Sequence, residues 1–334
     1  MTVSKALRNL PKVSARTRAH VVRVAEKAGY KPDPEVAKLM HHLRNRSKRS
    51  FQGLICAITD RPDDMAHPYV SGLAAGAEQQ AQKRGYGFGL IRFEEDADHR
   101  RQLRRVIWAR GVRGVLLLPL RQPFDLTDLL PWEDLAVVGM TLSILAPGVH
   151  RAIPNHFSNA LKICRKLTEL GYRRIGLAID AVQELRVNHA FSAAVIRHNL
   201  AGHRVAVPPF IYERLEPAAL QAWYRREKPD AIIATDDSFS REYARILGLP
   251  IPGPVGFAST NTTPSSLISG IDELPGEVGA TALDLLAGMI QHGEKGLPRH
   301  PTTTEVHGVW LDGVSCPGRA LRGRAGGDRG GGLR

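Results

Sequence analysis

Apolar positions near the start of the chain recur at helical spacing. Val3, Ala6 and Leu7 share one face of a helix over 2–9, closed by Asn9 and Pro11. Val21, Ala25 and Ala28 repeat the spacing in a second helix, with Ser14 as N-cap, Val13 as the staple residue before it and Gly29 at the C-terminal stop. Pro32 and Pro34 then interrupt the chain. Val36, Leu39, Met40 and Leu43 mark a short third helix, followed by a basic run over 44–49. From Phe51 the pattern changes. Short apolar runs (53–59, 86–92, 114–119, 135–140, 174–179, 231–235 and 255–259) alternate with helical stretches (69–84, 99–111, 155–170, 184–200, 238–247 and 277–291). Strands alternating with helices predict an α/β fold built of parallel βαβ units. One series ends near Met140 and a second begins near Asn155, as in the halves of a two-lobed α/β receptor.

The chain has 334 residues, enough for two or three domains. At 43% hydrophobic and 24% charged it is not a mainly disordered protein. No apolar run reaches the ~18 residues of a membrane-spanning helix, and the N-terminus has no signal-like apolar region. Cys56, Cys164 and Cys316 are too few and scattered for a disulfide framework or a metal site, so a cytoplasmic location is expected. The net charge of +13 is concentrated at the ends. Residues 1–50 hold 13 Lys/Arg against Glu26, Asp33 and Glu35, and residues 317–334 hold five Arg against one Asp, leaving the body near neutral. A basic end on a neutral body points to a polyanion partner, with a solvated basic tail as the alternative. These features divide the chain at 1–31, 32–50, 51–316 and 317–334, the last Gly/Arg-rich and expected to be disordered.

The basic end offers a candidate DNA interface. Thr2, Ser4, Lys5 and Arg8 are hydroxyls and cations able to reach base edges or phosphates. Leu39, with Met40 beside it, is a candidate apolar wedge for a minor groove. The run over 45–49 either contacts phosphates or is solvated. In the body, ligand residues belong at the carboxyl ends of strands. The candidates are Asp60, Tyr69, Asp180, Arg186, the Asp236/Asp237 pair with Asp237 favoured, and Asp272 in a crossover between lobes. Carboxylates accept from hydroxyls, Arg donates and rings cover apolar faces, a mixture suited to a polyhydroxylated or small anionic ligand. The competing role for each acid is a helix cap. No nucleophile elbow, HExxH, phosphate loop or dinucleotide fingerprint occurs, so no enzyme, cofactor or metal is expected; the His41-His42 pair has no third ligand nearby.

Taken together, Thr2–Val3–Ser4–Lys5–Ala6–Leu7–Arg8–Asn9, then Val13–Ser14 with Thr17–Arg18, then Ala25–Glu26–Lys27–Ala28–Gly29–Tyr30 and Pro32, closely resemble the DNA-binding domain of the lac-repressor (LacI/GalR) family. In the body, the GYRRIG run at 171–176, VGFA at 255–258 and the helix over 276–286 resemble further family motifs. The resemblance covers about 2–315. It implies a periplasmic-binding-protein-like receptor core behind a helix-turn-helix remnant and a hinge helix. It also implies a homodimeric, ligand-responsive transcription factor, expected to be a repressor that binds an operator and a sugar-like effector. Arg186 falls near the family's effector-binding arginine, Asp237 near an effector-contacting or helix-starting aspartate, and Asn155 at the start of the second lobe, with Pro154 in place of an aspartate. Met1 falls at the beginning of the recognition helix, so an upstream start is expected. Pro34 and Glu35 are unusual in a hinge. Ala258 stands where the family often has an effector-binding aspartate. A receptor of the same fold that does not bind DNA is the alternative.

Overall fold

A computed structural model describes residues 14–27, 52–60, 67–93, 97–201, 206–319. The chain divides into two units, Met1–Phe51 and Gln52–Arg334. In the first, helix α1 (Ala15–Lys27) is described. Ser14 Oγ accepts the amide N–H of Thr17 at 3.2 Å, as an N-cap does. The expected helix over 2–9, the hinge segment with Leu39 and Met40, and the basic run over 44–49 lie outside the described residues.

The second unit holds two six-stranded sheets. The first lobe contains β1 (Leu54–Thr59), α2 (Pro68–Arg84), β2 (Gly87–Arg92), α3 (Ala97–Ala109), β3 (Val112–Leu117), β4 (Phe124–Asp125), β5 (Ala136–Gly139), β6 (Ile144–Ala146) and β7 (His150–Pro154). The second contains α4 (His156–Glu169), β8 (Ile175–Asp180), α5 (Ala181–Arg186), α6 (Ala190–Ala201), β9 (Phe210–Tyr212), α7 (Pro217–Glu227), β10 (Ala231–Asp236), α8 (Asp237–Leu247), β11 (Gly256–Asn261) and β12 (Ser269–Asp272). Helix α9 (Pro275–His292) and β13 (Thr303–Val306) then return to the first lobe, and β14 (Val309–Leu311) to the second. The sheet orders are β13-β7-β5-β3-β1-β2 and β14-β12-β11-β10-β8-β9, parallel except for the antiparallel β12–β14 pair. Strands β4 and β6 form a separate two-stranded pair.

Covered on both faces, the central strands are apolar throughout rather than alternating. Successive residues still point to opposite sides: Ile55 and Ala57 enter one core cluster, Cys56 and Ile58 the other. In the second lobe, Ala231 and Ile233 separate in the same way from Ile232 and Ala234. The seven runs read from sequence are all strands here. The shorter or more polar β7, β9, β12, β13 and β14, and helix α7, carry no such run. The helix expected over 184–200 is two helices, because Asn188 and His189 take left-handed backbone at φ 52° and 60°. The buried Glu184 supports the break, its Oε1 accepting the Ser192 N–H at 3.0 Å near the start of α6. Of the tail over 317–334, residues 317–319 are described. Arg319 donates its N–H to Leu170 O at 2.8 Å, pairs with Asp230 at 3.0 Å and covers the Tyr172 ring. Residues 320–334 lie outside the described residues.

The chain crosses between the lobes three times, after β7, after β12 and after β13. These crossings are bonded together. The Asn155 N–H donates to Val306 O at 2.9 Å, and its side-chain amide to Glu305 Oε2 at 2.5 Å. The Gly308 N–H donates to Asn159 Oδ1 at 2.9 Å, and Lys162 donates to Gly308 O. Asn155 Oδ1 also caps α4 by accepting the Ser158 N–H at 2.9 Å.

Helices α2 and α9 meet through glycine. A Cβ on Gly279 would lie 2.1 Å from Leu73 O, and one on Gly76 2.0 Å from Gly276 O. Gly288, on the same helix α9, has nothing within 4 Å of its Cβ position. Gly279→Ala is expected to lower unfolding stability by about 1–3 kcal/mol through overpacking. Gly288→Ala should leave it unchanged or raise it by up to about 1 kcal/mol. Urea midpoints of the two variants check this; equal effects would deny the close helix contact.

Candidate ligand cleft between the lobes

The carboxyl ends of both sheets open onto one cleft of about 340 Å³. From the first lobe come His67, Tyr69 and Val70 at the start of α2, Pro119 beyond β3, and Met140, Thr141 and Leu142 beyond β5. The second lobe contributes Gln183, Arg186, Val187 and Phe191 around α5 and α6, Thr235, Asp236 and Phe239 at the β10–α8 junction, and Thr260 and Asn261 ending β11. His156 and Glu273 enter from two of the crossings.

The first-lobe wall offers few polar groups. Thr141 Oγ1 is engaged with Ser143, 2.8 Å from its Oγ and 2.9 Å from its amide nitrogen. His67 Nδ1 accepts the Tyr69 N–H at 3.3 Å, capping α2. Burial raises the Tyr69 phenol well above its ordinary value; the negative Glu273 adds to this and the positive Arg186 opposes it. Tyr69 therefore remains a protonated hydroxyl, able to donate. On the second-lobe wall, Arg186 donates to Gln183 Oε1 at 3.2 Å. Asp236 Oδ1 accepts the N–H groups of Ser238 at 2.8 Å and Phe239 at 3.1 Å, capping α8. Asp236 pairs in register with Asn261 across β10 and β11. Thr235 Oγ1 is buried and has no hydrogen-bond partner among the described residues. His156 Nδ1 donates to the Glu273 carboxylate at 2.9 Å, and its ring meets Phe191 edge-on at 5.5 Å.

Of the residues singled out from sequence, Tyr69 and Arg186 come together in this cleft. Asp236, of the Asp236/Asp237 pair, also lines it, and Asp60, Asp180, Asp237 and Asp272 are not among its lining residues. Asp60 Oδ2 accepts the Arg121 N–H at 3.0 Å, tying β1 to the loop after β3. Asp180 caps α5 through the Val182 and Gln183 N–H groups at 2.8 and 3.2 Å. Asp237 is the first residue of α8, and its neighbour Asp236 is both cap and lining residue. Asp272 accepts the Leu274 N–H at 2.8 Å, closing a turn, and the next residue, Glu273, faces the cleft. Ala258 is fully buried in the second-lobe core, three residues before the end of β11. The strand-end positions in the cleft are Thr260 and Asn261 instead. His156, Glu273, Phe191 and Phe239 were not anticipated, although His156 and Glu273 adjoin crossings visible in the sequence. The DNA-interface candidates Thr2, Ser4, Lys5, Arg8, Leu39 and Met40 lie outside the described residues.

Comparison with known proteins is consistent with this architecture. Residues 164–307 match the periplasmic binding protein-like domain. The HTH-type transcriptional repressor CytR of Escherichia coli strain K12 is 29% identical over 196 residues, covering 56% of this chain and 52% of the repressor. The chain thus spans about half the length of the curated relatives it matches. The transcriptional regulator CelR in complex with cellobiose superposes with a TM-score of 0.61 at 18% identity, covering 94% of this chain and 95% of CelR. The lac repressor dimer bound to operator and the anti-inducer ONPF gives 0.60 at 17%, covering 95% and 94%. CCPA from Weissella paramesenteroides with bound glucose gives 0.58 at 14%, covering 79% and 98%. Residues 164–307 thus match a periplasmic binding protein-like domain, and the two-lobed body shares its fold with these solved structures.

Proposed function

We propose that this chain is a ligand-responsive, DNA-binding transcription regulator, a repressor that senses a sugar or sugar derivative in the interlobe cleft. The observation that carries the reading is the cleft itself. It is assembled from both lobes at the carboxyl ends of their sheets, where open α/β sheets take ligands. Its polar groups suit a polyol: Asp236 and Glu273 accept, Arg186 and Tyr69 donate, and Asn261 does both. Phe191 and Phe239 offer surface for the C–H faces of a sugar ring. Related proteins carry ligands of that chemistry, CelR with cellobiose and CCPA with glucose. The lac repressor structure contains a dimer on its operator, which supports the same partner and assembly here. A cytoplasmic location accords with a DNA partner, and the reading assigns the cleft no catalytic residue.

The mechanism is coupling between two binding events. A ligand that contacts both walls favours one spacing of the lobes, and that spacing sets the arrangement of the N-terminal segments of a dimer on two half-sites. Ligand and DNA then change each other's affinity by one reciprocal factor. Within this scheme Thr2, Ser4, Lys5 and Arg8 read or anchor to DNA, and Leu39 with Met40 wedges the minor groove.

Arg186→Ala is expected to weaken binding of the responding sugar at least about tenfold, as loss of a charged hydrogen bond does. Isothermal calorimetry with D-ribose, D-glucose and cellobiose measures this, and an unchanged constant would reduce Arg186 to a structural role. For DNA, fragments selected from a random library by the full chain should bind with log affinity falling linearly in log salt. Lys5→Ala and Arg8→Ala should weaken that binding and flatten its salt slope. A chain with no salt-dependent DNA affinity would be a receptor that does not bind DNA.

A further inference from the structure

Two of the three chain crossings touch at the cleft. His156 is the first residue of α4, just past the first crossing, and Glu273 lies in the second, between β12 and α9. Their side chains meet at 2.9 Å and are only 12% and 6% exposed. A carboxylate this buried needs compensation, and His156 is its hydrogen-bond partner among the described residues. The contact uses Oε1. A carboxylate offers about four acceptor positions, so Glu273, which lines the cleft, keeps acceptor capacity beyond this one contact. Tyr69 registers the charges of both Glu273 and Arg186, which places the two within electrostatic reach of its hydroxyl. Asp236 likewise commits one oxygen, Oδ1, but to the start of α8 within the second lobe.

We infer that Glu273 is the acceptor for a hydroxyl or amine of the bound ligand, and that His156 is the positioning residue that holds it. This takes the cleft to be the ligand site proposed above. The His156 N–H fixes one carboxylate oxygen and Phe191 fixes the imidazole, so Glu273 presents its second oxygen in a preset direction. An anionic ligand group at this end meets like charge and is rejected; a neutral donor group is accepted. Because the two residues stand on different crossings, a ligand held by Glu273 also fixes the hinge between the lobes.

The test is isothermal calorimetry on the full chain with D-ribose, D-glucose and cellobiose as probes. The variants are Glu273→Gln, His156→Leu and His156→Asn, each checked for a cooperative thermal transition. Glu273→Gln keeps the shape and removes the charge, and should weaken the responding probe about tenfold or more. His156→Leu should weaken it comparably. His156→Asn retains an N–H donor and should recover affinity to within about threefold of the wild type; a role in packing alone predicts no such rescue. Wild-type affinity in both Glu273→Gln and His156→Leu would overturn the assignment and leave the receptor reading intact. A wild-type chain that binds none of the probes would overturn the sugar-receptor reading, and this assignment with it.

Discussion

Three chain crossings between two parallel sheets are the constraint on which the rest of the molecule depends. Each lobe has apolar clusters on both sides of its sheet, so neither sheet needs the other for its own burial. What fixes their relation is the crossing region, where Asn155, Asn159, Lys162 and Glu305 join segments about 150 residues apart in sequence. The bonds there involve few side chains and sit at element ends. A region of that kind can bend while both cores stay packed. It also places the carboxyl ends of the two sheets face to face, and the cleft follows from that placement.

The cleft is chemically one-sided. Val70, Pro119, Met140 and Leu142 make the first-lobe wall largely apolar, and the Thr141 hydroxyl is engaged by Ser143. Arg186 and Asp236 stand on the second lobe, with Glu273 and His156 at the crossings. A ligand with a polar edge and an apolar face would satisfy both walls at once only when the lobes are close. Such differential contact is what a conformational response requires, since a ligand touching one lobe alone shifts nothing between them.

The fold was legible in the sequence wherever strands were covered on both faces. Apolar runs such as 53–59 and 231–235 are too short for a buried helix and fit a strand enclosed on both sides. Edge elements were less legible: β13 is Thr-Thr-Glu-Val and mostly exposed, with no apolar signal. At the cleft, strand-end logic named Tyr69, Arg186 and the Asp236/Asp237 pair, of which Tyr69, Arg186 and Asp236 line it, while Glu273 lines it beside the named Asp272. Asp236 and Asp237, and Asp272 and Glu273, are adjacent acids at element junctions. Which member of each pair turns inward depends on where the backbone leaves the strand: Asp236 keeps extended backbone as the cap, and Leu274 takes left-handed backbone after Glu273. Composition does not carry that information. Asp180 shows the complementary difficulty, since the same carboxylate chemistry serves a ligand or the first N–H groups of a helix.

Hydrogen–deuterium exchange of the full chain, with and without D-ribose, D-glucose and cellobiose in turn, tests most directly whether the interlobe cleft is the receptor site. A ligand bound between the lobes will slow exchange together in three regions: the start of α2, the α5–α6 turn, and the segment linking β12 to α9. The distant strands β2 and β9 will keep their rates. Protection confined to one lobe, or absent from the β12–α9 crossing, would contradict a ligand that bridges the lobes.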